Sequence, residues 1–532
     1  MVLGHRSFAA VLSVVAISAC ASPDYGSGVR TSVSPTEVDS DAGTATSTEK
    51  ESEATLSGTA DFPSSSRCAS CHPTIAAQWA TSMHARSTSS LVTIAETNQV
   101  VAGRLLGTDS PGRASFCVNC HAPIRATVAN EGTLPFATNA VPDEGVSCGA
   151  CHQFGRTPTS GAAGAADFGA ALTRGTTLYG PFADAATNSA HASERRDSFG
   201  DTGALCGSCH DVNLDRDGDA RIHKVNDLVL QTTQDEYDAY RQTASAPKTC
   251  AECHMPVMAS VRRAADGVAD APTREVHDHS FVGVDYPLDG TADTQLAARK
   301  AMLGQAATLA ISAGALAGGA ASLDVSITNS GTGHSLPTGF AFARQMWVEL
   351  VVKDADGNVA FSSGSIAKES QDLCDADVLG SPLATRVEGC ATPDPQLVDF
   401  QLKLVDGITA TTTASGDAVR DTAGELVARA TDTAQEVVLQ HATGGAVPRL
   451  RSVDGVQMGA IPPGVTRSFG YTFTIPPAAR RPLRVTARLL FRNLPPYFLR
   501  ALLAGDPTAS AIVERLKVIE MGTATVDFAP GG

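Results

Sequence analysis

The sequence predicts a multidomain chain: a mainly α-helical and irregular domain over residues 63–290, then an all-β, immunoglobulin-like sandwich over residues 306–532. Three observations predict it. The pentapeptide Cys-x-x-Cys-His occurs five times between Cys68 and His254, at intervals that hold only one or two helices each. Alternating apolar and polar residues, the pattern of half-buried strands, recur from Leu323 onward. Aromatic residues make up only 5% of the chain. That leaves room for another flat apolar group in the first core, although an Ala- and Gly-rich composition accounts for it equally well.

A chain of 532 residues is long for one domain, and two or three are expected. The net charge of −16 speaks against nucleic-acid binding, which needs basic patches to neutralise phosphates.

Residues 1–20 read as an export signal. His5 and Arg6 give a weakly basic start, and Phe8–Ile17 is an apolar run too short to span a bilayer. The run ends Ile17-Ser18-Ala19-Cys20, which resembles a bacterial lipobox with Cys20 as the lipidated residue; cleavage near Ala19 by an ordinary signal peptidase is the rival. Residues 21–62 are Ser/Thr-rich and acidic, with eight Asp/Glu against Arg30 and Lys50, and read as a disordered tether. The expected location is therefore the bacterial cell envelope, lipid-anchored, on the periplasmic or the outer-membrane and surface side.

Ten of the 13 cysteines fall in the five pentapeptides: Cys68 and Cys71, Cys117 and Cys120, Cys148 and Cys151, Cys206 and Cys209, Cys250 and Cys253. Each pair is followed by a histidine, namely His72, His121, His152, His210 and His254. This is the attachment motif for haem c. Two thiols three residues apart form thioethers to one porphyrin, and the next residue binds the iron through imidazole. The cofactor expected is five covalent haems c. Paired Cys-x-x-Cys units also suit a Cys₄ zinc site, but zinc demands no following histidine in every copy.

The flanking residues resemble a known family. Trp79, Ser82 and His84 in a Trp-x-x-Ser-x-His stretch, Leu205–Val212, Cys250–Pro256 and His279–Asp285 are similar to multihaem c-type cytochromes related to the tetrahaem cytochrome of nitrification (the c-552/c-554-like group). More distantly they resemble pentahaem nitrite reductase and octahaem hydroxylamine oxidoreductase. The resemblance runs from about residue 65 to 290 and implies a pentahaem cytochrome c domain. It implies His84, His191 and His279 as distal ligands, with His277 as the alternative to His279 and His223 as a further candidate. The chain departs from the nitrite reductases, which typically carry lysine in place of one attachment histidine; all five motifs here end in histidine.

Residues 291–305 read as a linker helix capped by Thr291 or Asp293. Gly318-Gly319 reads as a turn between strands. Strand patterns follow at Leu323–Asn329, Met346–Val352, Val359–Phe361, Val398–Leu402, Val437–Leu439, Ser468–Ile475 and Leu483–Phe491, with a short helix at Tyr497–Leu503. Cys374 and Cys390 lie outside the haem motifs and are expected to form a local disulfide. The loop Ser330–Gly339 contains Gly333-His334-Ser335-Leu336-Pro337-Thr338-Gly339, and Arg344-Gln345-Met346-Trp347 follows it. A similar loop occurs in the C-terminal sandwiches of larger multihaem cytochromes. The reading is that His334 reaches across to ligate a haem of the first domain; a hydrogen-bonded loop histidine is the alternative. His441 has no such context.

Two functions follow. The first is an electron carrier whose haems are mostly held by two histidines, with redox partner proteins of the envelope and no catalytic residue. The second is a haem oxidoreductase acting on a small nitrogen or sulfur oxyanion at one open iron, with Arg195, Arg196 and Lys224 as candidate charge-stabilising groups. Seven histidines remain beyond the five proximal ones and His5, so two ligands for every iron are arithmetically available.

Overall fold

The structure is a computed structural model and describes residues 61–101, 114–129, 144–156, 171–185, 190–214, 228–260, 262–317, 319–380, 382–404, 408–410, 428–430, 446–447, 449–453 and 456–528. Cys20, His223, Lys224, His441, the export signal, nearly all of the acidic tether and the strand expected at Val437–Leu439 lie outside these residues.

Each attachment motif sits on or against a short helix: α1 (Ser65–Ala69), α4 (Ala114–His121), α6 (Cys148–His152), α7 (Gly203–Gly207) and α9 (Cys250–His254). Helical spacing turns residues three apart to one face, so the two thiols of a motif point the same way. Local capping starts these helices. Ser64 Oγ accepts from Ser66 N at 3.2 Å at the head of α1. Thr249 and Glu252 close a reciprocal capping box on α9. Between them run α2 (Pro73–Thr81), which opens on proline, α3 (Leu91–Val101), α5 (Pro123–Ala129) and α8 (Thr233–Thr243).

The C-terminal region is built on two antiparallel sheets. One has β1 (Ala307–Ala317), β2 (Ala320–Asn329) and β6 (Thr466–Thr474), in the order β6-β2-β1. The other has β3 (Gln345–Lys353), β4 (Val359–Ser363), β7 (Leu483–Arg492) and β8 (Ile519–Phe528), in the order β4-β3-β7-β8, with β5 (Val398–Asp399) also paired to β3. The period-two pattern does what the sequence predicts. Leu323, Val325 and Ile327 of β2 and Phe469, Tyr471 and Phe473 of β6 point inward and share one cluster with Val348, Leu350, Val485 and Ala487 of the other sheet. Burying a side chain of this size contributes about 1.5–3 kcal/mol. Gly319 turns the chain between β1 and β2 at φ +83°.

Boundaries differ from the sequence reading in places. The linker helix, α10, runs Leu296–Ala306, not from residue 291. Neither Thr291 nor Asp293 caps it. Asp293 instead accepts from Gln295 N at 3.1 Å and pairs its carboxylate with Arg299, holding a turn ahead of the helix. The strand at Val398 stops at Asp399, and β8 was not anticipated. The helix expected at Tyr497–Leu503 is α11, Pro496–Leu502. Cys374 and Cys390 are disulfide-bonded, with Cα atoms 5.4 Å apart.

The two regions share a core. Ala95, Leu91 and Val92 of α3 and the side chain of Cys117 pack with Tyr286, Phe342 and the Tyr497–Leu502 face of α11. Arg344 clamps Asp285 through two hydrogen bonds of 2.9 and 2.8 Å and donates to Asn493 O at 2.8 Å. No helix among the described residues is long and apolar enough to cross a membrane.

Candidate metal centres

Backbone carbonyls set the tautomer of most of the histidines concerned. Nδ1 of His72 donates to Ala264 O at 2.7 Å, that of His152 to Tyr179 O at 2.7 Å, and that of His254 to Val282 O at 2.9 Å. His334 donates to Ser335 O at 2.9 Å and His279 to His277 O at 2.9 Å. His191 lies 3.2 Å from Ala192 O. With the proton on Nδ1, Nε2 keeps its lone pair, the state in which imidazole binds a metal. Burial enforces neutrality. It pushes His84 down to about 3 and His210, His279 and His334 to about 4, and it lowers His121 and His152 as well.

The rings come together in pairs. His72 and His191 have centres 6.4 Å apart with planes at 29°. His254 and His334 are 6.4 Å apart at 21°. His84 and His210 are 6.3 Å apart at 52°. An imidazole nitrogen binds a metal at about 2 Å and lies roughly 1.2 Å from its ring centre, so two rings trans across one ion stand about 6.4 Å apart. The spacing, the tautomers and the adjoining Cys-x-x-Cys pairs therefore fit haem iron. Among the described residues no group of three or more His, Cys, Asp or Glu side chains converges to hold a bare metal ion.

His334 arrives on a braced loop. Asn329 Nδ2 donates to His334 O at 2.8 Å, and Glu236 of α8 accepts from Ser335 N at 3.1 Å and Thr338 Oγ1 at 2.6 Å. Gly333 lies against the Tyr240 ring, where an added Cβ would come within 3.1 Å. At Gly331 a Cβ would overlap the carbonyl of Gln305. Gly331→Ala is expected to displace this loop, lower stability by about 1–3 kcal/mol and raise the high-spin signal in electron paramagnetic resonance. An unchanged midpoint in chemical denaturation would contradict it.

His84 is carried by a second locked loop. Trp79 Nε1 donates to Val146 O at 2.8 Å, and Val146 N donates to His84 O at 3.0 Å. Gly145, at φ +63°, permits this approach, because a Cβ there would strike His84 O and Ser87 Oγ. Phe281 was missed at the sequence level. Its ring packs edge-on against His84 (4.6 Å) and His279 (5.8 Å).

His279 has His152 as a charge neighbour. His277 donates from Nδ1 to Met255 O, and its carbonyl receives His279. His121 makes no ring contact with another histidine among the described residues, and its buried Nδ1 has no hydrogen-bond partner. Asp285 acts on it electrostatically, and Glu96, pushed up to about 7 by burial, lies within reach of Cys117, Arg344 and Asp285. Arg195 pairs with Asp197 at 3.0 Å, and Arg196 lies over Tyr179 at 4.4 Å.

Thiols of different motifs also meet. Cys68 lies beside Cys148, Cys120 beside Cys209 and Cys206 beside Cys250, and Cys151 is a charge neighbour of Cys209. Numbered by sequence, the motifs thus adjoin in the order first, third, fourth, fifth, with the second beside the fourth.

Residues 67–153 match the family described as cytochrome c554 and c-prime. The fold is similar to a crystal structure of a penta-haem cytochrome c552 from Thermochromatium tepidum, at 19% identity and a TM-score of 0.52, covering 87% of this chain and 98% of that one. A search of curated protein sequences found no match. The matched segment spans the first three attachment motifs, and the likeness to the penta-haem structure is one of fold.

Proposed function

We propose that the chain is an exported pentahaem c-type cytochrome that carries electrons through a line of haems, most of them held by two histidines. The ring pairs at 6.3–6.4 Å are the observation that carries this reading. Bound haem supplies a one-electron ferric/ferrous couple. The ten motif cysteines would hold the porphyrins, and His72, His121, His152, His210 and His254 would bind the irons. His191, His84 and His334 would serve as second ligands beside His72, His210 and His254, and His279 beside His152. A site filled on both faces leaves no position for substrate, which suits a carrier. Adjacency of the motifs gives the route first, third, fourth, fifth, in either direction.

The C-terminal sheets, read as an immunoglobulin-like sandwich, cap the line and lend it His334. The apolar run at Phe8–Ile17 and Cys20 support export and a lipid anchor in the cell envelope, where redox proteins are the partners. The Cys374–Cys390 bridge fits an oxidising compartment.

The environment of His121 favours a second reading at one site. Its lack of a ring partner among the described residues, with Asp285 as its charge neighbour and the Arg344 cation paired to that carboxylate, suits an open iron able to take a small nitrogen or sulfur oxyanion. One preparation tests both. Protein from a host competent in haem c attachment should weigh five haems more than its polypeptide. Its oxidised spectrum should be mainly low-spin; a high-spin component of one haem equivalent assigns the open site, and none removes it. A colourless product of bare polypeptide mass would overturn the whole reading.

A further inference from the structure

Phe281 is the one non-glycine residue at positive φ among the described residues, at 47°. A side chain in that region costs on the order of 1–3 kcal/mol and persists only where its surroundings impose it. Here they do so from both sides. Ahead of it, Asp278 Oδ1 accepts from Ser280 N at 2.6 Å, and Gln78 joins Asp278 Oδ2 at 3.1 Å and His279 N at 3.2 Å. Gln295 donates to Ser280 O at 2.8 Å. Behind it, Val282 O takes the His254 ring at 2.9 Å and Gly283 O takes Arg299 Nε at 2.8 Å.

The product of this strain is a phenyl ring driven edge-on into His84, at 4.6 Å and 63°. His84 differs from the other second-ligand candidates. His191, His279 and His334 each have Nδ1 next to a backbone carbonyl that fixes the ring's rotation. No hydrogen bond among the described residues fixes the His84 ring, so packing must set it. The outcome is visible in the angles: His84 and His210 cross at 52°, whereas the other two pairs lie at 29° and 21°.

We propose that Phe281 is a positioning residue whose strained backbone wedges the His84 ring out of the plane of His210, giving that haem a ligand geometry unlike its neighbours'. This rests on the reading of His84 and His210 as ligands of one iron. Two parallel imidazoles donate into the same iron d orbital and split the pair of π-type orbitals widely. Crossed imidazoles donate into both and bring that pair together. Ligand arrangement is one of the levers by which a protein tunes haem iron.

The test is low-temperature electron paramagnetic resonance of the fully haem-loaded, oxidised protein. The wild type is expected to show one haem equivalent of a low-spin signal with unusually large maximal g, beside ordinary rhombic signals from the near-parallel pairs. In Phe281→Ala and Phe281→Gly that signal should lose at least half its amplitude to the rhombic class, with haem content unchanged by mass. Phe281→Tyr keeps the ring and should keep the signal. Rhombic signals alone in the wild type would overturn the proposal, whether or not the variants fold. So would a large-g signal that survives in both the alanine and glycine variants. A spectrum without any low-spin component would instead sink the two-histidine reading beneath it.

Discussion

His334→Ala should convert one low-spin haem to high spin while leaving the covalent haem content untouched. The cysteines that would hold that porphyrin, Cys250 and Cys253, lie on α9 and do not depend on the loop. What the substitution removes is an imidazole 6.4 Å from His254, neutral through burial and aimed by its bond to Ser335 O. The loop itself keeps Asn329, Glu236 and Thr338, so the stability cost beyond the lost iron bond is about 1 kcal/mol, one hydrogen bond's worth. His334→Met should restore low spin and raise the potential of one haem, since methionine in place of one histidine raises haem potentials. Mass spectrometry, spin-state quantitation and a redox titration check the three parts. An unaltered spectrum in His334→Ala would reduce His334 to a loop residue.

Arg492→Ala should cost about 3–5 kcal/mol in unfolding free energy, the range for breaking a buried charge network. Its side chain is fully buried on β7. It donates to Glu369 O at 2.6 Å, Gln371 O at 2.8 Å and Gln345 Oε1 at 3.2 Å, and its guanidinium lies over Trp347 at 5.4 Å. Burial pulls its pKa down to about 10, with the Asp372 and Asp399 carboxylates opposing the fall, so it stays charged at neutral pH. Truncation leaves two part-buried carbonyls and the buried Gln345 amide oxygen without their donor. Asp372 keeps Arg500 and the Tyr497 amide at 2.7 Å, which sets the upper bound. Arg492→Met preserves bulk and should recover part of the loss. The midpoint in urea measures both. Haem content and spin state should not move, because none of the Arg492 hydrogen bonds goes to a histidine; a shift there would show that the sheets transmit strain to them.

How much of this was legible depends on whether the information is local. The attachment motifs are, because thioether chemistry dictates two thiols and an imidazole in five consecutive residues. The His334 loop was legible for a related reason: Gly331 stands where a backbone carbonyl comes too close for any Cβ, and Gly333 where a ring leaves a Cβ little room. The turn at Gly319 followed from its glycine, and the strands beside it from period-two burial. Partner choice is different. Nothing in the residues around His191 says that it meets His72 rather than His210, since that depends on how distant segments pack. Phe281 gave no signal, because a phenylalanine at φ 47° is set by its neighbours and not by its own preference. Asp293 looked like a helix cap and is instead a partner of Arg299. The cluster joining α3 to α11 lies on both sides of a boundary that composition placed near residue 290.

The meeting of thiols from separate motifs has a consequence for how the protein is made. Cys68 sits beside Cys148, Cys120 beside Cys209 and Cys206 beside Cys250, while Cys374 and Cys390 must be joined. Surroundings oxidising enough to close the last pair would also staple the first three, since any thiolate within reach of an oxidised neighbour exchanges with it. Biogenesis therefore has to run on two clocks. On the proposed reading, a dedicated reductant would have to shelter the ten motif sulfurs until porphyrin vinyl groups claim them, and it would have to ignore the sulfur bridge forming in the other half of the same nascent chain.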